Sequence, residues 1–155
     1  MLVSFLAAPS RFCLHDAGAL TRDESMNNAS SIQFDRPDLG ACIEAFTEAE
    51  LDELAFGVIG FNSDTTVTLY NTFESKYAGL SRERVVGNPL FTTVAPCMNN
   101  FMVAHRFEEA AAHGTTLDET IDYVLTLRMR PIKVKLRLFA GPGSSTRYVL
   151  VLRSL

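Results

Sequence analysis

The sequence predicts an α+β fold: a five-stranded antiparallel sheet flanked by short helices and one longer connecting helix. Two β-branched and aromatic runs in the first half are separated by turn residues. One amphipathic helical stripe follows in mid-chain, and three strand-like runs close the sequence. The order strand, strand, short helices, long helix, three strands fits one antiparallel sheet with helices on one face.

Residues 1–33 hold no sustained period and are rich in Ser, Ala and Asn, so they are expected to be an irregular N-terminal extension. Within it the apolar run Met1–Ala8 has no Lys or Arg before it and Arg11 close behind, which disfavours a signal peptide. Met26 offers a later start. Thr47-Glu-Ala-Glu50 matches a capping box, in which hydroxyl and carboxylate each satisfy a backbone donor, and opens a short helix to about Leu54. Phe56–Phe61 and Thr65–Tyr70 read as a hairpin around Asn62-Ser-Asp64. Asn71 then caps a short helix with Glu74 three residues on, and Ser81–Gly87 reads as another, capped by Ser81 and closed by Gly87.

A loop carries Thr92-Thr-Val-Ala-Pro-Cys97. The longer helix is expected over Asn100–His113, with Phe101, Ala104, Phe107 and Ala111 on one stripe and Gly114 as its stop. Strands are expected over 117–128, 132–140 and 146–153, the last two joined by Gly141-Pro-Gly-Ser-Ser145. No internal repeat or interdomain linker interrupts the chain.

At 155 residues and 47% apolar, the chain can bury a core without metal or disulfide staples. Its net charge of −4 and lack of a basic patch disfavour nucleic acid. No apolar run approaches the roughly 20 residues that span a bilayer, so no membrane is expected. Cys13, Cys42 and Cys97 are odd in number and form no CxxC pair, which suggests neither a disulfide framework nor a zinc site and fits a reducing cytoplasm. His15, His105 and His113 do not cluster.

Three residues invite chemistry. Cys97 follows Pro96, which stiffens the backbone, and a thiol on a rigid loop beside a sheet can anchor a ligand. On spacing alone the signal is weak, and the plainer reading is a small buried apolar residue. Tyr70 and Glu74 lie four apart across a strand-to-helix junction and can project to one side, where a phenol and a protonated carboxyl suit a buried anion. The plainer reading makes Glu74 the partner of the Asn71 cap and Tyr70 strand core. His105 and His113 share a helix face without a third ligand. The chain has no phosphate loop and no Gly-x-Ser-x-Gly elbow.

Leu54-Ala-Phe-Gly-Val-Ile59, Leu69-Tyr-Asn71, Glu74, Val85-Val-Gly87, Val94-Ala-Pro-Cys97 and Met129-Arg-Pro-Ile-Lys-Val-Lys135 together resemble the photoactive yellow protein family, a PAS-type family of blue-light receptors. The likeness runs from about Phe34 to the C-terminus. It implies a PAS-like domain over 34–155 whose first part, 34–54, is an N-terminal cap. It implies that Cys97 carries trans-p-coumaric acid as a thioester, that Tyr70 and Glu74 hydrogen-bond its phenolate, and that Met129, Ala95, Pro96, Ala78 and Leu80 belong to the chromophore pocket. Two positions depart from the pattern: Ala78 stands where the family commonly has threonine, and Leu80 where it commonly has arginine.

The resemblance further implies trans-cis isomerisation, proton transfer from Glu74, and loosening of the cap as the signal. With no arginine at position 80, the Glu74 carboxylate is expected to lack a counter-charge. A receptor of this kind is not an enzyme, acts in the cytoplasm as a monomer or weak dimer, and passes its signal to an unidentified protein. A chromophore-free PAS interaction module and a thiol enzyme using Cys97 remain the alternatives.

Overall fold

The computed structural model describes residues 32–126 and 130–154. The sheet order is β2-β1-β5-β4-β3, with every neighbouring pair antiparallel. β1 (Gly57–Phe61) and β2 (Val67–Tyr70) are the predicted hairpin; β3 (Leu117–Leu125), β4 (Ile132–Ala140) and β5 (Arg147–Arg153) are the predicted final strands. β1 lies beside β5, with Gly57 opposite Val151 and Phe61 opposite Arg147, so the first and last strands form the sheet's centre.

Both faces of that centre are covered, which is why β1 is apolar throughout and not alternating. The period of two sorts the side chains into two cores. Ile59, Phe61, Val134, Leu136, Leu138, Val149 and Val151 point to one face, where Leu90, Phe91, Val94, Val103 and Phe107 pack on them. Val58, Phe139, Tyr148 and Leu150 point to the other, where Ile32, Phe34, Leu39, Ile43, Leu51 and Leu54 cover them. The N-terminal segment therefore lies across the sheet from the 90–107 segment.

Within that N-terminal layer, α1 (Leu39–Ala45) has no side-chain cap bond and no acidic first turn, the signals by which a helix is read from sequence. Its Gly40 meets the Phe139 ring so closely that an added Cβ would overlap it. α2 (Glu48–Asp52) has the predicted capping box: Thr47 N–H donates to Glu50 Oε2 at 2.7 Å and Thr47 Oγ1 accepts from Glu50 N at 3.3 Å. Cys42, buried in α1, is disulfide-bonded, a correction to the expectation of no disulfide. Pairing depends on spatial proximity that spacing does not reveal.

α3 (Thr72–Ala78) is capped by Asn71 as predicted. α4 (Arg82–Val85) follows Ser81, but the Ser81 side chain makes no cap bond, and Val86 rather than Gly87 ends the helix. The segment read as a loop forms a π-helical turn, Leu90–Val94, then a 3-10 turn, Pro96–Met98. α5 (Ala104–His113) starts later than Asn100 because the Asn100 carboxamide oxygen accepts from Met102 N (2.9 Å) and Val103 N (3.2 Å), holding a separate turn first. Phe101 thus lies outside the helix and is 78% exposed; the buried stripe is Ala104, Phe107 and Ala110, without Phe101 or Ala111. Gly114 ends α5 at φ 62°, as predicted. Among the described residues, no helix is long and apolar enough to cross a membrane, and no group of three or more His, Cys, Asp or Glu is placed to hold a metal ion.

Candidate functional site

Asn71 builds the junction on which Tyr70 and Glu74 stand. Its side-chain oxygen accepts from Glu74 N at 3.1 Å, as a helix cap does, and from Val58 N at 2.9 Å. Its amide nitrogen donates to the carbonyls of Leu51 (2.9 Å) and Phe56 (3.0 Å). All four bonding positions of one carboxamide are used. The end of β2, the start of α3, the start of β1 and the end of α2 are thereby fixed to one another.

Tyr70 ends β2 and is buried in the apolar core that also holds Ile59, Val85, Leu90, Phe91 and Val94. Its hydroxyl reaches the Glu74 main-chain carbonyl at a marginal 3.5 Å and makes no bond with the Glu74 carboxyl. Burial, and secondarily the nearby Glu74 charge, push the Tyr70 phenol well above its ordinary range. Arg153 opposes this more weakly.

The Glu74 side chain lies over Gly57 of β1, where an added Cβ would stand 2.1 Å from Oε2. Gly57 is the residue that lets a carboxyl come this close to the sheet. Glu74 Oε1 accepts from Arg153 Nη2 at 2.7 Å. The two side chains are only 2% and 5% exposed. Burial pushes the Glu74 carboxyl above its ordinary range; Arg153 works in the opposite direction through charge and hydrogen bond. Among the described residues, Glu74 Oε2 and Arg153 Nε have no hydrogen-bond partner. The expectation that a Glu74 carboxylate lacks a counter-charge is therefore overturned: the cation comes from the last strand, not from position 80.

Cys97 sits in the 3-10 turn with Pro96 at its first position. The preceding π-turn closes through Val94 N to Pro89 O (3.1 Å) and Ala95 N to Leu90 O (2.7 Å), a wide loop that swings the chain back over the sheet. Cys97 has a free thiol, is half-buried, and packs against the same core as Tyr70. Its carbonyl accepts from the Tyr123 hydroxyl and from Asn100 Nδ2 at 3.0 Å; Asn100 Nδ2 also reaches the Tyr123 oxygen at 2.6 Å. Ala95 and Ala78 are buried, Leu80 is partly buried against this core, and Pro96 is exposed. Met129 lies outside the described residues.

Sequence reasoning missed Arg153, Tyr123 and Asn100. Arg153 did leave a signal: it continues the inward phase Val149, Val151 of β5, so an arginine was due on an apolar face. Tyr123 left none, since it meets Cys97 from 26 positions away; Asn100, three residues from Cys97, was read instead as the start of the long helix.

No protein-family model matches the chain. The photoactive yellow protein of Rhodothalassium salexigens is 30% identical over 122 residues, covering 79% of this chain and 97% of that protein. The photoactive yellow protein domain of the sensor histidine kinase Ppr from Rhodospirillum centenum is 32% identical with a TM-score of 0.67, covering 74% of this chain and 99% of that domain. At 12% identity and a TM-score of 0.51, the PAS domain of the Cronobacter turicensis quorum-sensing receptor RpfR shares the fold alone, over 64% of this chain and 94% of that domain. The chain, with its PAS sheet, belongs to the photoactive yellow protein family of blue-light photoreceptors.

Proposed function

We propose that this chain is a receptor that carries trans-p-coumaric acid as a thioester on Cys97, with Tyr70 and Glu74 as the groups that meet its phenolic oxygen. One observation carries the reading: the free thiol of Cys97 and the buried ring of Tyr70 pack on one apolar core, beside the buried Glu74 carboxyl with its orphaned Oε2. A thioester needs a free thiol, and an unpartnered buried carboxyl oxygen suits a phenolic oxygen. These residues fit the group. Ala95, Ala78, Leu80, Pro96 and Met129 are assigned to the surrounding pocket on the family pattern.

Bound there, the chromophore supplies absorption of blue light and an isomerisable double bond. The chain supplies the rest. Tyr70, kept neutral by burial, is a hydrogen-bond donor at any ordinary pH. Glu74 is held between burial, which favours the proton and is the larger effect, and Arg153, which favours the anion. Release after illumination changes the charge at the head of α3. Asn71 sits three residues away and donates to Leu51 of the cap, which gives the change a route across the sheet. Loosening of the cap, residues 34–54, is the output.

On this reading no substrate is turned over, and the chain is a receptor rather than an enzyme. Its downstream partner is a signalling protein; the similar domain from Rhodospirillum centenum belongs to a sensor histidine kinase. The decisive experiment mixes purified protein with p-coumaric anhydride. A stable, coloured, light-bleachable adduct on Cys97 is expected. No adduct would indicate a chromophore-free interaction module, and colourless turnover a thiol enzyme; either refutes the proposal.

A further inference from the structure

Glu74 and Arg153 are brought together by three elements that are remote in sequence. α3 supplies the carboxylate, β1 supplies the space above Gly57, and β5 supplies the guanidinium. Gly57 pairs with Val151, so Arg153 stands two residues further along the neighbouring strand on the same face. Among the described residues, Glu74 is the one hydrogen-bond acceptor of the Arg153 side chain. A guanidinium keeps its charge across the ordinary pH range, and a buried cation requires an anion beside it. Arg153 from β5 is the charged group that acts on Glu74, Glu74 in turn acts on the Tyr70 phenol of β2, and β1 presents Gly57.

We propose that Arg153 is the fixed buried cation of the site and admits one anion at a time: the Glu74 carboxylate in the ligand-free chain, a phenolate when a 4-hydroxyphenyl ligand is held. The second half rests on the receptor reading above; the first does not. Protons balance. The ligand's hydroxyl loses its proton, a Glu74 carboxylate oxygen gains it, and the net charge of the site does not change. When Glu74 gives the proton back it returns to a waiting counter-charge. Arg153 would thus be a positioning residue that does from β5 what Leu80 cannot do.

The test has two arms. In ligand-free protein carrying carbon-13-labelled glutamate, the Glu74 carboxyl signal is identified by its loss in Glu74→Gln and followed through a pH titration. Its midpoint is expected to rise by about one to three pH units in Arg153→Met. In protein loaded with p-coumaric anhydride, the pH below which the visible band of the anion disappears is expected to rise by a similar amount in that variant. Arg153→Lys, which keeps the cation, should fall between. Unchanged midpoints in Arg153→Met would overturn the inference. Should that variant not fold, Arg153→Lys carries the test: a displaced Glu74 midpoint supports the pairing and an unchanged one refutes it. A wild-type protein that takes up no anhydride refutes the receptor reading instead, and the first arm still decides the role of Arg153.

Discussion

Arg137 of β4 donates through Nη1 to the main-chain carbonyl of Phe34 at 2.9 Å, joining residues 103 positions apart. The same guanidinium donates to the carbonyls of Arg36 and Pro37 and to both oxygens of Asp118 on β3. It ties residues 34–37 to the sheet, on the face away from Cys97. Arg137→Gln is expected to cost about 1–3 kcal/mol, because three carbonyls lose a charged donor and half-exposed Asp118 loses its partner. Hydrogen exchange should speed up in residues 34–46 before it does in β1 or β5. Uniform acceleration across the sheet would count against a local clamp.

Asn71→Ala removes four hydrogen bonds and takes their side-chain partner from Val58 N, Glu74 N and the Phe56 carbonyl, while the Leu51 carbonyl keeps its bond from Leu54 N. The expected loss is about 2–4 kcal/mol by urea unfolding. Asn71→Asp keeps the two accepting bonds, loses the two donating ones and buries a charge, so it should rescue little.

Gly57→Ala would press a Cβ onto the Glu74 carboxyl and force it away from Arg153. A loss of about 1–3 kcal/mol is expected. The double variant Gly57→Ala/Glu74→Ala should be less than additive, since the clash has one cause. Simple additivity in urea unfolding would show that Gly57 serves the backbone alone.

Tyr70 has a folded-state pKa raised above its unfolded value, first by burial and then by Glu74. The unfolded chain therefore releases this proton first, near pH ~10, and stabilises itself by doing so. The contribution of Tyr70 is fully present below that pH and is lost as pH rises beyond it. Measured against Tyr70→Phe by urea unfolding, wild-type stability should hold a constant offset from pH 7 to about 9 and then fall relative to the variant. A constant offset to pH 11 would mean that the phenol is not held neutral.

Phe107 and Phe101 separate the observed start of α5 from the predicted one. Phe107→Ala opens the core and should cost about 3–5 kcal/mol. Phe101→Ala removes an exposed ring and should stay within about 0.5 kcal/mol in thermal or urea unfolding.

The parts of this molecule legible in its sequence are those whose causes are local. The Thr47–Glu50 box, the Asn71 cap and the Gly114 stop each act within a few residues, and each stands where its pattern placed it. The hairpin and the last three strands are legible because β-branched runs and turn residues also act locally. Tyr70, Glu74 and Cys97 were singled out by the family resemblance, since spacing alone favours the plainer readings; Tyr70 and Cys97 pack on one core with buried Glu74 beside them. What stayed hidden is long-range. Arg153 completes Glu74 from 79 positions away, and Arg137 holds Phe34 from 103 positions away. Ser81 failed as a cap, although its type is right, because nothing in a local pattern says which way a hydroxyl turns.

The Arg137 clamp grips three carbonyls and no side chain of residues 34–37. It is therefore blind to which amino acids those residues are and responds only to the course of the backbone. In a saturation library, Asp35, Arg36 and Pro37 should tolerate exchange widely while Arg137 tolerates almost none. Exchange of the side chains at positions 35–37 therefore leaves unaltered how this segment is held on the sheet.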